Sequence, residues 1–221
     1  KMIKEKLAAI KKNIPPNVTL VAVSKTKPNE LIEEAYNSGQ RIFGENKAQE
    51  LKNKAEVLPK DIEWHFIGHI QRNKVKYIAP YSSLIHSIDS IKLLAEVNKQ
   101  GLKNNRIINC LLQFYIATEE TKFGLSLEEA EELLTSSEFL NLKNIKIVGV
   151  MGMASFINNE EQLRNEFIRL KYIFTQLSNN FFKHTETFQT ISMGMSGDYK
   201  IAIEEGSTMI RVGSAIFGNR N

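Results

Sequence analysis

Eight short apolar runs alternate with longer amphipathic segments, and this alternation is the feature that most limits what the chain can fold into. The runs cover residues 18–25, 41–44, 63–68, 84–88, 107–116, 145–153, 188–193 and 209–217. Their spacing is close to the roughly 30 residues that a strand–helix–strand unit needs. Strands that alternate strictly with helices form a parallel sheet. Eight such units in 221 residues predict an α/β fold, a single closed (β/α)8 TIM barrel rather than an open Rossmann sheet.

The intervening segments have the apolar spacing of helices. Residues 128–134 are acidic at their start, which suits the positive end of a helix dipole. Apolar side chains in a later segment recur at spacings of three and four, at Leu163, Phe167, Leu170, Phe174 and Leu177. Only residues 218–221 follow the eighth run, too few for an eighth helix. The N-terminal amphipathic segment is therefore expected to form a helix that covers the gap after strand 8, through Ile3, Leu7 and Ile10.

The composition predicts one soluble domain over residues 1–221, because 42% of the residues are hydrophobic and 24% are charged. Cys110 is the single cysteine, which indicates a reducing compartment, and no apolar stretch approaches the roughly 20 residues of a membrane span. The net charge of +4 is too small to indicate nucleic acid or an anionic membrane as a partner. We expect a cytoplasmic protein whose natural chain begins before Lys1.

Lys25 ends the first run and is a candidate nucleophile. Period-two alternation places Val21, Val23 and Lys25 on one face of the strand, so the amine is expected at the mouth of the barrel, where parallel barrels carry their chemistry. A lysine that is partly removed from water has a lowered pKa and forms Schiff bases with aldehydes. The alternative is a solvated lysine just past a strand, of which Lys27 is a second example.

The loops after the seventh and eighth runs predict a phosphate site. Ser192 lies near the end of the seventh run, Ser196 and Gly197 follow that run, and Gly213 and Ser214 lie within the eighth. Barrels of this class often hold phosphate at these two loops, where backbone amides at the start of a helix are available. An ordinary glycine turn is the alternative. The next residue after Gly197 is an aspartate, which is expected to cap the helix that follows.

Arg211 shares a strand face with Met209 and Gly213, so its guanidinium is expected to point into the barrel. A buried charge needs a partner. That partner is either a carboxylate in a structural ion pair or an acceptor atom on a ligand.

Two histidines have a spacing that resembles a metal site. His65 and His69 lie four residues apart, which is about 13 Å along a strand, so they cannot ligate one ion together. We predict no metal site. His65 is expected to pack beside Trp64 and Phe66, and His69 to face the mouth of the barrel.

The remaining candidates are sulfur side chains. Met151, Met153, Met193 and Met195 form either a wall for a flat ring or plain core. Cys110 lies in the middle of an apolar run and is expected to be a small core residue rather than a nucleophile.

Several of these segments together resemble a known family. They are Lys25 and the segments 43–46 (FGEN), 64–74 (WHFIGHIQRNK), 192–196 (SMGMS) and 206–218 (GSTMIRVGSAIFG). In this order, over nearly the whole chain, they closely resemble the YggS/PROSC family of pyridoxal phosphate homeostasis proteins. The segment 149–153 differs slightly from the family's usual Gly-Leu-Met block, and Ser214 stands where many members have threonine. Neither departure removes a required group.

The resemblance implies a fold-type III barrel, like the N-terminal domain of alanine racemase, that binds pyridoxal 5′-phosphate (PLP) through a Schiff base on Lys25. It implies that Arg211 faces the pyridine nitrogen of PLP. The residues implied around the phosphate are Ser192, Ser196, Gly197, Gly213 and Ser214. Those implied to line the ring pocket are Asn46, His69 and Met151.

The resulting hypothesis is a carrier or regulator in intracellular vitamin B6 homeostasis. An arginine against the pyridine nitrogen disfavours protonation of that nitrogen, so the ring is a poor electron sink. Racemases on this barrel also take a tyrosine base from a β-rich second domain, for which we expect no room in this chain. We therefore expect no robust turnover, a monomer, and apo forms of PLP-dependent enzymes as recipients of PLP. The alternatives are a fold-type III racemase or lyase, and an aldolase-type lysine acting on a sugar phosphate.

Overall fold

The computed structural model describes residues 2–118 and 123–219, and within them eight parallel strands close into a barrel in sequence order. The first strand pairs with the last, so the sheet has no free edge. The predicted (β/α)8 barrel is therefore confirmed. The strands are β1 (Thr19–Val23), β2 (Ile42–Glu45), β3 (Glu63–Phe66), β4 (Ser82–Ile88), β5 (Ile108–Phe114), β6 (Ile145–Gly152), β7 (Thr190–Ser192) and β8 (Met209–Val212).

Helices surround the barrel. They are α1 (Ile3–Lys12), α2 (Asn29–Asn37), α3 (Ala48–Val57), α4 (Val75–Ile78), α5 (Ile91–Lys103), α6 (Leu127–Thr135), α7 (Ser137–Leu140), α8 (Glu160–Phe181), α9 (Tyr199–Glu204) and α10 (Ser214–Phe217). The acidic start predicted for α6 forms a capping box between Ser126 and Glu129. None of these helices is long and apolar enough to cross a bilayer.

The opening helix takes the place that the sequence predicts for it. Helix α1 packs against α2 and α10, and it buries Ile3, Leu7 and Ile10. The prediction of the eighth strand was too long, because β8 ends at Val212 and the four residues of α10 follow Gly213. The Ser196 hydroxyl accepts hydrogen bonds from two amides at this point, Gly213 N at 3.2 Å and Ala215 N at 3.4 Å. These bonds turn the chain out of the sheet.

Apolar side chains form two clusters on opposite faces of the barrel wall. The larger lies between the strands and the helices and includes Leu20 and Ala22 of β1. The smaller lies inside the barrel and consists of Val21, Leu84, Leu111, Met151 and Met209. Successive residues of a strand point to opposite faces, which is why neighbouring residues of β1 divide between the two clusters.

A β-bulge in β6 interrupts this alternation. Cys110 of β5 lies opposite Ile147, but the next residue of β5 lies opposite Gly149, so Val148 is one residue too many. Gly149 has a φ of 157°, and a Cβ added to it would lie 1.9 Å from Thr190 O. The extra residue exchanges the inward and outward positions along the rest of β6. Met151 therefore points into the barrel.

We expect Gly149→Ala to lower the free energy of unfolding by about 3 kcal/mol, the upper end of overpacking costs, because a backbone carbonyl obstructs the added methyl group. Urea denaturation measures this loss. Gly197→Ala is the matched control, since no atom lies within 4 Å of a Cβ at that position, and its effect should stay within about 0.5 kcal/mol. Equal losses in the two variants would contradict the role of the bulge.

Candidate functional site

Lys25 lies at the carboxyl edge of the barrel, two residues past the end of β1, and its side chain is exposed. It lines a cavity of about 330 Å³ together with three other residues that the sequence singles out, Asn46, Gly213 and Ser214. The elements that supply them are the ends of β1, β2 and β8. The structure therefore brings the predicted lysine and part of the predicted phosphate loops to one place.

The wall of this cavity is cationic. Lys27 and Lys47 line it with Lys25, and the Lys27 ammonium also donates to Gly218 O at 3.4 Å. Three ammonium groups at this cavity suit an anionic ligand. The positive charge matches a phosphate group.

The loops after β7 and β8 are joined through one side chain. The Ser196 hydroxyl accepts from Gly213 N and Ala215 N, so two hydrogen bonds join the two loops. A Cβ at Gly213 would lie 3.2 Å from Val23 Cβ, a tight approach that favours glycine here. Gly197 is exposed in open space beside Ser196.

Asp198 stands at the N-cap position of α9 but makes a different hydrogen bond from the one expected. Its Oδ1 accepts from Met195 N at 2.7 Å, and it makes no side-chain cap bond to the helix. Burial raises the pKa of Asp198, while its hydrogen bond from Met195 and the charge of Arg211 lower it. The carboxylate therefore closes the turn before α9 and does not cap the first amides of the helix.

Arg211 points into the barrel, where only 3% of its surface is exposed. Its Nη1 donates to Ser192 Oγ at 2.5 Å and its Nη2 donates to Gly152 O at 3.1 Å. Burial lowers the pKa of Arg211 to about 10, against the charge of Asp198, which raises it. Within the described residues no carboxylate lies at ion-pair distance from Arg211, so the structural ion pair considered above is not observed.

A chain of hydrogen bonds continues from Arg211 across the barrel. Ser192 Oγ lies 2.9 Å from His86 Nδ1, and His86 Nε2 lies 3.0 Å from His65 Nδ1. An arginine only donates, so the Ser192 hydroxyl oxygen accepts from Arg211. The other two contacts join this hydroxyl and two imidazole rings, each of which can donate or accept.

Burial supports neutral rings along this chain. Burial lowers the pKa of His65 to about 3, and burial together with the charges of His65 and Arg211 lowers the pKa of His86 well below 6.5. Two neutral rings can share one hydrogen bond, whereas two imidazolium rings would repel. The chain therefore holds the Arg211 guanidinium with neutral partners.

Two expectations from the sequence differ from this arrangement. Ser192 was placed around the phosphate, but it is fully buried with its hydroxyl bonded to Arg211 and His86, because it ends β7 on the inner face. His65 was expected beside Trp64 and Phe66. Those two side chains pack outside the barrel, while alternation turns His65 inwards.

His86 is a site residue that sequence reasoning missed. It stands in the middle of β4 between Ile85 and Ser87, and it is fully buried. The available signal was a polar side chain inside a short apolar run, since buried polar groups need a partner. That signal does not say which partner the barrel provides.

The four methionines do not form one wall. Met151 lies in the inner cluster and Met193 in the outer cluster, whereas Met153 and Met195 are 41% and 43% exposed. Met151 therefore lies below the mouth and does not line the cavity that contains Lys25.

His69 lies apart from Arg211, on the outer rim of the mouth. Its exposed ring stacks on Phe123 with the ring centroids 3.8 Å apart. It lines a neighbouring cavity of about 460 Å³, which Asn46 also lines. A Cβ at Gly68 would lie 2.8 Å from Asn46 O, so the glycine permits the close approach of the two loops.

The single cysteine lies away from the cavity that contains Lys25. Cys110 is fully buried in the outer cluster, and burial raises the pKa of its thiol, which makes it an inert core residue as predicted. In the part of the chain that the structure describes, no three His, Cys, Asp or Glu side chains come together as a set of metal ligands.

Sequence comparison relates the chain to known proteins. The family model described as "Alanine racemase, N-terminal domain" matches residues 1–221. A curated relative from Aquifex aeolicus, named pyridoxal phosphate homeostasis protein, is 40% identical over 202 residues, which is 91% of this chain and 86% of the relative.

Solved structures share the fold. PipY of Synechococcus elongatus is 32% identical and superposes with a TM-score of 0.91 without PLP and 0.88 with PLP bound, over 98% of this chain and 100% of PipY. An alanine racemase from Bartonella henselae, 16% identical, superposes with a TM-score of 0.74 over 98% of this chain and 58% of the racemase. At that identity the racemase shows the fold alone.

We expect the two interior histidines to make the protein less stable in mild acid. Their folded-state pKa values lie below 6.5, so below that pH the unfolded chain binds more protons than the folded chain. The stabilisation is complete above about pH 6.5 and is lost as the pH falls, by about 1.4 kcal/mol per pH unit for each histidine. Urea denaturation between about pH 7 and pH 5 measures the slope.

Two variants provide the controls for this slope. His86→Asn removes one of the two buried rings and should reduce the histidine contribution by about half. His184→Asn changes an exposed ring and should leave the slope as it is. The same slope in all three proteins would show that the interior pair does not titrate as the geometry requires.

Proposed function

This chain belongs to the family of the alanine racemase N-terminal domain and, within it, to the pyridoxal phosphate homeostasis proteins, and from that premise we propose that it binds PLP through a Schiff base on Lys25. We further propose that it acts in intracellular vitamin B6 homeostasis as a carrier or regulator without robust turnover. The observation that carries this proposal is the cavity that holds Lys25, Gly213 and Ser214 together.

The donors at the cavity fit PLP. When bound, PLP supplies an aldehyde that an amine can attack and an electron-withdrawing ring. Lys25 provides the amine at the cavity wall, and Lys27 and Lys47 provide positive charge beside it. Ser196 positions the amide-bearing loop of Gly213. An aldehyde and a phosphate on one small molecule are the two features that these residues complement.

The proposed roles are those that the family resemblance implies at the matching positions. Lys25 attaches the cofactor, Arg211 faces the ring nitrogen, and Asn46 and His69 line the outer side of the ring pocket. The residues that we propose around the phosphate are Ser196, Gly197, Gly213 and Ser214. Ser192 and Met151 lie deeper, where Ser192 holds the guanidinium of Arg211 and Met151 fills the barrel beneath it.

Arg211 favours a carrier over a racemase. Its charge lies among a hydroxyl, a carbonyl and two neutral rings, so it stays cationic and disfavours a proton on a ring nitrogen beside it. An unprotonated ring withdraws electrons from a bound amino acid only weakly. The curated relatives are named as homeostasis proteins rather than racemases, which agrees with this.

We extend the proposal to the domain organisation, oligomeric state, location and partners of the protein. We take residues 1–221 as one cofactor-binding barrel domain that works as a monomer in the cytoplasm. Apo forms of PLP-dependent enzymes are the proposed recipients. The exposed position of Lys25 at an open mouth supports transfer, because a recipient can approach the attached cofactor without the barrel opening.

Absorbance spectroscopy tests the attachment. Protein loaded with PLP should show a visible Schiff-base band, and borohydride should fix the cofactor to the peptide that contains Lys25. Lys25→Ala should abolish both signals, whereas Lys52→Ala, on the outer face of α3, should retain them. A Lys25→Ala protein that keeps the band and is still fixed by borohydride would exclude the assignment. A colourless protein that traps a sugar phosphate on Lys25 would instead support an aldolase-type lysine.

Hydrogen exchange in bound amino acids tests the absence of turnover. With a panel of amino acids in deuterated water, we expect the protein to exchange the Cα hydrogen no faster than free PLP does, because Arg211 weakens the electron sink. Mass spectrometry of the amino acids measures the exchange. Exchange well above the level with free PLP would identify a fold-type III racemase or lyase instead.

A further inference from the structure

A buried ion-pair cluster lies directly beneath the turn that carries Lys25. Lys54 of α3 is 6% exposed, and its Nζ lies 2.8 Å from Glu45 Oε2, 2.7 Å from Glu50 Oε2 and 2.8 Å from Ser24 O. A lysine ammonium has three N–H donors, and here each has an acceptor. We call Glu45, Glu50 and Lys54 the Lys54 clasp.

The clasp holds the residues on both sides of Lys25. On one side, the Ser24 hydroxyl donates to Glu45 Oε2 at 2.5 Å, and Ser24 O accepts from Lys54. On the other side, Thr26 N donates to Glu50 Oε2 at 2.7 Å. Among the bonds and ion pairs of the described residues none joins Lys25 to the clasp, and Lys25 lines the cavity.

The backbone at Thr26 needs this support. Thr26 has a φ of 65°, in the left-handed region that a β-branched residue rarely adopts because it is strained there. Such a conformation persists only where the surroundings hold it. The bond from Thr26 N to Glu50 and the bond from Lys27 N to Ser24 O at 3.0 Å hold the turn on both sides.

The burial of the charged groups of the clasp costs free energy. Glu45 is fully buried, and burial raises the pKa of Glu45 while Lys54 and the Ser24 hydroxyl lower it. Its second oxygen, Oε1, has no hydrogen-bond partner in the described part of the chain. Well-packed apolar residues often replace a buried ion pair with no loss of stability. The geometry that the clasp imposes on the turn is therefore a better account of its presence than stability is.

We propose that Glu45, Glu50 and Lys54 are positioning residues that fix the turn from Ser24 to Lys27 and so aim the Lys25 amine at the cofactor cavity. This inference rests on the proposed attachment of PLP to Lys25. Glu50 is the residue to test, because its side chain is 24% exposed and its replacement leaves the buried Lys54 ammonium still paired with Glu45.

Three variants separate positioning from stability. Glu50→Ala removes the acceptor for Thr26 N, and Glu50→Gln keeps an oxygen that can accept the same bond. Glu56→Ala is the matched control, since Glu56 lies on the same helix and makes the same type of pair with Lys52 at 2.9 Å. Lys52 makes no contact with the Ser24–Lys27 turn among the bonds and ion pairs of the described residues.

The first measurement needs no cofactor. Solvent exchange of the Thr26 amide, followed by NMR in the protein without PLP, should be about tenfold faster in Glu50→Ala than in the unaltered protein, as expected for the loss of one hydrogen bond to a charged group. Glu50→Gln and Glu56→Ala should stay within about twofold of the unaltered protein. Unchanged exchange in Glu50→Ala would overturn the proposal by itself.

The second measurement uses PLP. Titration followed by borohydride fixation should give an apparent Kd about tenfold weaker for Glu50→Ala, with affinity restored in Glu50→Gln and a thermal midpoint within about 2 °C of the unaltered protein. Equal affinity in Glu50→Ala, or an equal loss in Glu56→Ala, would overturn the clasp while Lys25 remained the attachment point. Failure of the unaltered protein to fix PLP on Lys25 would overturn the proposed function as well, and the amide exchange distinguishes the two cases.

Discussion

The pairing of β1 with β8 is the constraint on which the site depends. Val21 lies opposite Arg211 in this pairing. Further along the two strands in the same direction, Val23 lies close to Gly213. The lysine loop and the last phosphate loop come from opposite ends of the sequence, and they meet only because the sheet closes. Closure also pairs β1 on both sides, with β2 and with β8, so the turn that carries Lys25 follows a strand without a free edge.

Two buried cations serve the site in opposite ways. Lys54 is neutralised at contact distance by two carboxylates, Glu45 and Glu50, so its charge is committed to the backbone turn beneath Lys25. Arg211 contacts a hydroxyl and a carbonyl, so its charge is not cancelled at contact distance in the described structure. The first cation fixes a position, and the second keeps its charge available to the ring of a ligand. Both cations depend on acceptor atoms that the barrel holds in place. If one acceptor is removed, the others cannot move to replace its contact with the cation.

Part of this arrangement could be predicted from local pattern. The alternation of runs predicts eight strands and a closed barrel, and period-two alternation turns Arg211 inwards. The predicted ends of the strands were less accurate, because the runs of apolar residues continue past the last backbone hydrogen bond between neighbouring strands. In the eighth run, residues 214–217 are apolar enough for a strand but form α10, since Ser196 accepts the amides there. That serine belongs to another loop, which no local window contains.

The sequence by itself determined the barrel, the inward arginine and the lysine at the mouth, because each follows from a period of two or from order along the chain. The tertiary structure alone decided which buried polar groups meet. The bulge at Gly149 reverses the face of Met151, closure joins Ser192 to His86 and Arg211, and helix α3 places its ion pair under Lys25. These contacts join residues from different strands and helices, and their energy depends on distances of about 3 Å that only the packed fold sets.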